Sequence, residues 1–299
     1  MKEVENLITR RDFIRGTACA SLAWAMGLRV GEQKKVKPVK KTRVVLVRDA
    51  DVMDKKGRID AEAIQQMLDD GVTALFDKKD PVQVWKNLVK PSDVVGIKSN
   101  VWSPLPTPKE VEQALKQRVM DAGVPEKRIG ISDRGVLRSR TFRNCTALIN
   151  ARPLRTHHWS GVGGCIKNYI MFVPKPSDYH GNSCANLAAI WNLPIVKGKT
   201  RLNVLVLLRP LFHGIGPHHF DRTYTWTYNG LLVGTDPVAL DAVGLHLFRA
   251  KRLAYFGEER PMKPRPHHIV LADTRHHLGT SDLGKIELVK LGWKEGVLI

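Results

Sequence analysis

The sequence D-V-V-G-I-K-S, from Asp93 to Ser99, is an apolar run that ends in polar residues, and it predicts a buried strand. Thr107 and Pro108 then predict the start of a helix, because threonine favours the cap position and proline the first turn. The segment Arg128–Asp133 (R-I-G-I-S-D) predicts the following strand. A strand, a helix and a strand in this order form a βαβ unit with parallel strands. We therefore predict an α/β fold, with a mostly parallel or mixed sheet and helices on both faces.

Segments on either side continue this alternation of strands and helices. Gly71 is predicted to close the first helix, and Pro153 to stop the strand that precedes the central loop. We predict strands at Arg43–Arg48, Thr146–Ala151, Leu202–Leu208, Leu231–Val233 and Lys285–Val289, with an edge strand at Tyr224–Tyr228. We predict helices at Asp60–Asp70, Pro81–Leu88 and Ser183–Asn192, another from Asp236 to Phe248, and a short helix or loop after His267.

The N-terminus has the pattern of a twin-arginine export signal. The segment Thr9–Arg15 (T-R-R-D-F-I-R) precedes an apolar run from Gly16 to Leu28 of about 13 residues. A helix that spans a bilayer needs about 20 residues, so the run is too short to be one. A basic amphipathic first helix is the alternative interpretation. We predict a twin-arginine signal at residues 1–32, a basic linker at 33–42 and a single α/β domain at 43–299.

This export route implies a partner and a location. The partner is the twin-arginine translocation machinery, which exports folded proteins. The nearest small-x-small cleavage site, Ala23-Trp24-Ala25, lies inside the apolar run itself. We therefore expect a periplasmic protein, or one that stays associated with the membrane through an uncleaved signal.

The strong positive charge of the chain bears on its partners. The formal net charge is +19, which by itself would favour nucleic acid. Export would keep the chain away from the nucleoid, so no nucleic-acid partner is expected. Six of the positive charges lie between Lys34 and Arg43, where they would favour an anionic membrane surface. An anionic small molecule is the other partner that this charge favours.

The four cysteines argue against one class of cofactor. The sequence has no C-x-x-C pair, so it contains no self-contained iron–sulfur cluster motif. Outside the signal lie Cys145, Cys165 and Cys184, for which one disulfide plus one free thiol is an open arrangement in an oxidising compartment. The cofactor is unknown, and a transition metal is one candidate.

Polar residues follow the predicted strands and indicate a site. Ligands of parallel sheets lie beyond the carboxyl ends of the strands, where Lys98, Asn100 and Asp133 are expected. The longest polar segment follows the next strand, in Ala151–Cys184. Just before Cys165 it contains the glycines Gly161, Gly163 and Gly164, which let backbone N–H groups turn towards a ligand. Its charged and polar members of interest are Arg155, His157, Lys167, Asn168 and His180.

These residue types suggest specific roles. We predict catalytic roles for His157, His180 and Lys167. Imidazole suits acid–base work near neutral pH, and Lys167 would hold an anion as a point charge. Lys98, Asn100, Arg155, Asn168 and Asp241 are predicted to bind the ligand. Because imidazole also binds transition metals, His157, His180 and His213 form a candidate metal set. Asp236 is expected to cap the helix that follows it, and the pairs His267/His268 and His276/His277 to face solvent.

Three blocks of sequence together resemble a known family. They are V-G-I-K-S-N from Val95; Arg155-x-His157 with G-V-G-G-C-I-K-N from Gly161 and His180; and Gly216-Pro217 with G-T-D-P-V-A-L-D-A from Gly234. They are similar to the family of domain of unknown function 362, over roughly residues 43–292. The resemblance implies an α/β fold and little biochemistry. Some members carry an attached ferredoxin domain, which this chain lacks, and Arg155 stands where lysine is expected.

Two functional hypotheses follow. In the first, an exported protein binds a metal or an anionic cofactor or substrate in a crevice and carries out a redox or lyase/isomerase-type step. In the second, it is a non-catalytic protein that binds an anionic ligand at the membrane surface. Whether the protein is an enzyme is left open by the sequence.

Overall fold

Eight strands form one sheet in the computed structural model, which describes residues 41–214 and 219–299. The twin-arginine segment, nearly all of the basic linker, Gly216-Pro217 and His218 lie outside these residues. The strands are β1 Thr42–Arg48, β2 Val95–Lys98, β3 Ile129–Ser132, β4 Ala147–His157, β5 Gly161–Gly163, β6 Thr200–Leu211, β7 Gly230–Gly234 and β8 Ile286–Gly292.

The sheet is mixed, as predicted. Its order is β3-β2-β4-β6-β7-β1-β8, and β5 pairs with β4 alone. Strands β3, β2, β4 and β6 run parallel, and β1 is parallel to β8. Strand β7 is antiparallel to both of its neighbours, and β5 is antiparallel to β4. The carboxyl ends of β2, β3, β4 and β6 therefore lie at one edge of the sheet.

Helices cover both faces of the sheet, which confirms the predicted fold class. The helices are α1 Ala61–Phe76, α2 Pro81–Leu88, α3 Lys109–Asp121, α4 Arg140–Arg143, α5 Cys165–Asn168, α6 Gly181–Cys184, α7 Pro237–Phe256 and α8 His267–Thr274. Short 3-10 segments lie at Glu126–Arg128, Tyr169–Phe172, Pro176–Tyr179, Leu187–Asn192, Arg222–Tyr224 and Leu283–Lys285. None of the described helices is long and apolar enough to cross a membrane.

Alternation along the strands produces two hydrophobic layers. In β1, Val45 and Val47 belong to the layer under α1, α2 and α3, whereas Val44 and Leu46 belong to the layer under α7. Neighbouring side chains of a strand point to opposite faces, so a strand buried on both sides is apolar throughout. Burial of both faces holds the central strands in place and thereby fixes the edge where β2 and β4 end.

Strand β4 continues through Pro153, so the prediction that Pro153 ends it was wrong. On one side, β4 pairs with β2 up to Asn150 and with β5 from Arg155 onwards. Pro153 lies between these two pairings, next to a register irregularity with β6. A residue without an N–H group is tolerated where the ladder is interrupted. The longer strand carries Arg155 and His157 on a buried element rather than on a loop.

Helix α1 also continues further than expected, because Gly71 does not close it. Gly71 is buried, and a Cβ atom there would lie 2.9 Å from Cγ2 of Val233. This glycine lets the helix approach β7 closely. The helix ends at Asp77, which adopts the left-handed conformation.

Three further local predictions were wrong. Thr107 does not cap α3: its hydroxyl accepts from the Asn100 N–H and donates to the Ala151 carbonyl. Ser183–Asn192 is not one helix, because residues 182–184 have positive φ and a 3-10 segment follows. Tyr224–Tyr228 forms only an isolated bridge to β6.

The remaining segments either match their predicted bounds or are longer than predicted. Strands β1, β2, β3, β7 and β8 and helix α2 lie within a few residues of their predicted bounds, and Asp236 caps α7 as expected. Strand β6 and helix α7 are longer than predicted, and α7 ends only at Gly257. Cys145, Cys165 and Cys184 are all free, so the disulfide alternative was wrong.

Candidate functional site

A buried ion pair marks the carboxyl edge of β2 and β3. Lys98 is the last residue of β2 and is fully buried, and its Nζ lies 2.5 Å from Oδ1 of Asp133, just after β3. The Lys98 ammonium also donates to the Ser99 carbonyl at 2.7 Å. Burial lowers the pKa of Lys98 to about 8, and the Asp133 carboxylate partly offsets that effect. The predicted position of Lys98 and Asp133 at this edge is confirmed.

Three buried asparagines connect the strands beside this pair. Asn168 donates to Oδ1 of Asn150 at 2.8 Å and to the Lys98 carbonyl at 3.0 Å. Asn150 in turn donates to Oδ1 of Asn203 at 2.9 Å. The side chains thus join α5 to β2, β4 and β6. Asn168 was a candidate, whereas Asn150 and Asn203 were missed, although an asparagine inside an apolar strand is a readable signal.

Asp241 caps the short helix α5 from within the core. Its carboxylate accepts from the backbone N–H groups of Cys165 at 2.6 Å and Ile166 at 3.0 Å. Burial raises the pKa of Asp241 to about 7, and the two N–H groups and the charge of Arg152 oppose that rise. These two N–H groups bind Asp241 rather than a ligand.

Two glycines make room for this arrangement. A Cβ atom on Gly164 would lie 2.1 Å from Oδ1 of Asp241, and one on Gly163 would lie 2.7 Å from an Nη atom of Arg152. Both distances are shorter than a side chain tolerates, so buried charges pack directly on this backbone. The glycine-rich segment therefore packs against charged side chains of the protein itself.

Four buried cations form the centre of the site. We call Lys98, Arg152, Arg155 and Lys167 the cationic cluster; their exposed fractions are 0, 3, 4 and 3 %. The charge of Arg152 lowers the pKa of each of the other three, which places all four within electrostatic range. Sequence reasoning missed Arg152, which lies inside an apolar strand.

Arg155 has the least satisfied guanidinium of the cluster. Its Cζ lies 4.3 Å from the centre of the Trp102 ring, a cation–π distance. In the described part of the chain, its Nε and Nη1 have no hydrogen-bond partner, and neither has Nε of Arg152. Burial and the neighbouring Arg152 lower the pKa of Arg155 well below its usual range. Asn100 is buried in the turn that leads to Trp102, and its Oδ1 accepts from the Trp102 N–H at 3.4 Å.

Lys167 faces a thiol. Its Nζ lies 3.7 Å from Sγ of Cys184, and both residues are buried. Burial is the main cause that lowers the pKa of Lys167 to about 8; Cys184 opposes this effect, and the charges of Arg152 and Arg155 add to it. Cys184 is itself in the left-handed conformation, with φ of 63°. Such backbone is costly for a residue with a side chain and is held only by its surroundings.

The predicted histidines lie in two places. His157 accepts from the Trp159 N–H at its Nδ1, and the ring of His180 stacks on Trp159 with centroids 3.6 Å apart. Burial is the main cause that lowers the pKa of His157 far below its usual range and that of His180 to about 4. His213 instead contacts Arg252, with 2.7 Å between Nδ1 and Nη1, beside a cavity of about 580 Å³.

The metal set is therefore not assembled as one group. His157 and His180 both lie beside the Trp159 ring, whereas His213 packs on Arg252. Within residues 41–214 and 219–299, no group of three or more His, Cys, Asp or Glu side chains is placed to hold a metal ion.

His268 is a site residue that the sequence did not indicate. It is fully buried, so the expectation that it faces solvent was wrong. Both of its ring nitrogens are without a hydrogen-bond partner among the residues described. Burial lowers its pKa to about 3, and the charges of Lys167 and Arg152 add to that effect. No sequence pattern distinguished it from His267, its exposed neighbour.

Fold and site together define an α/β protein with a buried cationic cluster at the carboxyl edge of its parallel strands. The model of the family described as Domain of unknown function (DUF362) matches residues 95–246, which are 152 of the 299 residues. The chain belongs to this family, as the resemblance implied. The match runs from the start of β2 into α7 and includes the whole cationic cluster. No curated protein and no solved structure matches the chain.

Proposed function

We propose that the protein binds a small anionic ligand at the cationic cluster. The observation that carries this proposal is the state of the Arg155 guanidinium. Arg155 is only 4 % exposed, and two of its nitrogens have no hydrogen-bond partner among the described residues. A buried charge without a partner costs several kcal/mol. An anion held against Arg155 would remove much of that cost and thereby gain affinity.

The chemistry of the surrounding groups supports the same ligand class. Arg155 rests on Trp102, which fixes the plane of its guanidinium, and a planar guanidinium binds carboxylate or phosphate through paired hydrogen bonds. Lys167 adds a compact positive charge whose described contact is a thiol rather than a carboxylate. Lys98 keeps Asp133 and Asn168 in position beneath them.

Lys167 also supports an enzymatic role as the second candidate. A pKa of about 8 suits a general acid or base at neutral pH. The amine would take or give the proton of an anion held beside it, as a lyase or isomerase step requires. His157 and His180 remain predicted acid–base groups near the same ligand.

We also propose that the chain is exported by the twin-arginine route. The pattern of residues 9–28 supports this proposal, and the positive charges of residues 34–43 would then bring the folded domain to an anionic membrane surface. Cell fractionation of a tagged chain tests it. Replacement of Arg10 and Arg11 by lysine should retain the protein in the cytoplasm, and an unchanged distribution would contradict the proposal.

Calorimetric titration of the full chain with inorganic phosphate and with succinate tests the binding function. We expect saturable binding of at least one anion, weakened at least tenfold in Arg155→Gln, since a hydrogen bond to a charged group contributes about 1.5–3 kcal/mol. Arg138→Gln is the matched control, because Arg138 is exposed and loses the same charge. Equal affinities in the two variants would contradict the assignment of the site.

A further inference from the structure

We propose that the ligand of this site is a small dianion, a molecule with two negative charges close enough together to contact Arg155 and Lys167. This inference rests on the proposed function and names the class of its ligand. It follows from a comparison of the numbers of buried cationic and buried acidic side chains at the site.

The site contains more buried cations than buried carboxylates. When the two lysines are protonated, the four members of the cationic cluster face two buried acidic side chains, those of Asp133 and Asp241, so at least two positive charges are left in excess. The other buried charged side chains of the described chain belong elsewhere. Arg48 packs on Tyr228, and Asp69 pairs with Arg118. Arg252 contacts His213 and the carbonyl of Arg260.

Three of the nearby histidines do not add to the excess. Burial and the positive neighbours lower the pKa of His157, His180 and His268, so all three are neutral near pH 7. Among these histidines and the cationic cluster, the excess belongs to the lysines and arginines.

Each of the two buried carboxylates already interacts with a cation of the cluster. Asp133 is paired with Lys98 at 2.5 Å. Asp241 accepts two backbone N–H groups and acts electrostatically on Arg152. Asp133 also acts electrostatically on Arg155, but it is already paired with Lys98, so Arg155 and Lys167 are the two cations left without a carboxylate of their own.

Arg155 pairs with Gly163 of β5, and α5, which carries Lys167, begins two residues after that glycine, so the two cations lie on adjacent segments. The charge of Arg155 lowers the pKa of Lys167, and both charges lower the pKa of His157. Two like charges buried within electrostatic range destabilise each other. A monoanion would neutralise one of them and leave the other, whereas a dianion would neutralise both. Both a phosphate monoester and a dicarboxylate present two charges in a small volume.

Matched pairs of probes test this inference on the full chain at pH 7.5 and constant ionic strength. Methyl phosphate, which is mostly doubly charged at that pH, is compared with dimethyl phosphate, and succinate with monomethyl succinate. We expect the dianion of at least one pair to bind about tenfold or more tightly than its monoanionic partner, as one more charge-assisted hydrogen bond implies. The better dianion distinguishes a phosphate ester from a dicarboxylate.

The variants make the result specific to the two cations. Lys167→Met removes one of the excess charges, so the preference for the dianion should disappear while the monoanion still binds. Arg155→Gln should have the same effect if Lys167→Met does not fold, and Arg138→Gln should retain the full preference. Equal affinities within both pairs for the natural chain would overturn the inference and leave the anion site intact. If no probe binds, the proposed function itself is overturned together with this inference.

Discussion

The carboxylate of Asp241, in the second turn of α7, accepts a hydrogen bond of 2.6 Å from the backbone N–H of Cys165, at the start of α5. This bond joins a long helix to the short segment that carries Lys167 and Asn168. It means that the protein's own anion occupies the N-terminus of α5, and that ligand anions must contact the cationic cluster instead. Asp241 is therefore a supporting residue whose loss should be visible in stability.

Replacement of Asp241 by alanine should lower the free energy of unfolding by about 2–5 kcal/mol, because two buried N–H groups and Arg152 lose their partner. Urea denaturation measures this change. Asp80→Ala is the matched control, since Asp80 caps the exposed start of α2 and its loss should cost about 1 kcal/mol. A loss no greater than that of the control would contradict the capping role.

Gly164→Ala should destabilise the protein by about 1–3 kcal/mol, because the added Cβ would lie 2.1 Å from Oδ1 of Asp241 and must displace it. Gly181→Ala has open space around its Cβ position and should change the free energy of unfolding by less than about 1 kcal/mol. Thermal unfolding of both variants gives the comparison. Similar melting temperatures would show that Asp241 does not pack on Gly164.

The buried pair of Lys98 and Asp133 should behave as a coupled unit. Either Lys98→Met or Asp133→Asn alone should cost about 3–5 kcal/mol, because each leaves an uncompensated buried charge. The double variant should lose less than the sum of the two single losses. A double-mutant cycle by urea denaturation measures the coupling, and strict additivity would be evidence against the pair.

Anion affinity should fall as the pH is raised through about 8. Lysine carries its charge only below its pKa, and burial lowers the pKa of Lys167 and of Lys98 to about 8. Loss of these protons removes positive charge that Arg152 and Arg155 alone do not replace. Titration calorimetry between pH 7 and 9.5 follows the change, and Lys167→Arg should flatten it because arginine stays charged. A constant affinity over this range would contradict the role of the lysines.

The sequence predicted the architecture well where local pattern and packing agree. The βαβ unit gave the parallel strands β2 and β3, and polar residues at their ends correctly placed Lys98 and Asp133. Predictions failed where a distant contact outweighed a local preference. Thr107 favours a helix cap, but its hydroxyl bonds to Asn100 and the Ala151 carbonyl instead.

For the same reason, only part of the candidate site could be predicted from the sequence. Arg152 lies in the part of β4 beyond the predicted strand end at Ala151, and no local pattern shows that Pro153 would fall between two pairing partners. His268 becomes buried because α8 packs against α6 and the 3-10 segment Leu187–Asn192, which lie far from it in the sequence. Conversely, His157 and His180 were brought near Lys167, whereas His213 was not.

The three buried, unpaired thiols have a consequence for where the chain can reach its native state. Cys145, Cys165 and Cys184 are free in the described fold, and each packs in the hydrophobic core. The domain thus needs no oxidant, and its maturation is independent of the thiol–disulfide balance of the compartment. A dithiol reductant should leave its melting temperature unchanged. The described domain can therefore complete its folding under reducing conditions and remain intact under oxidising ones.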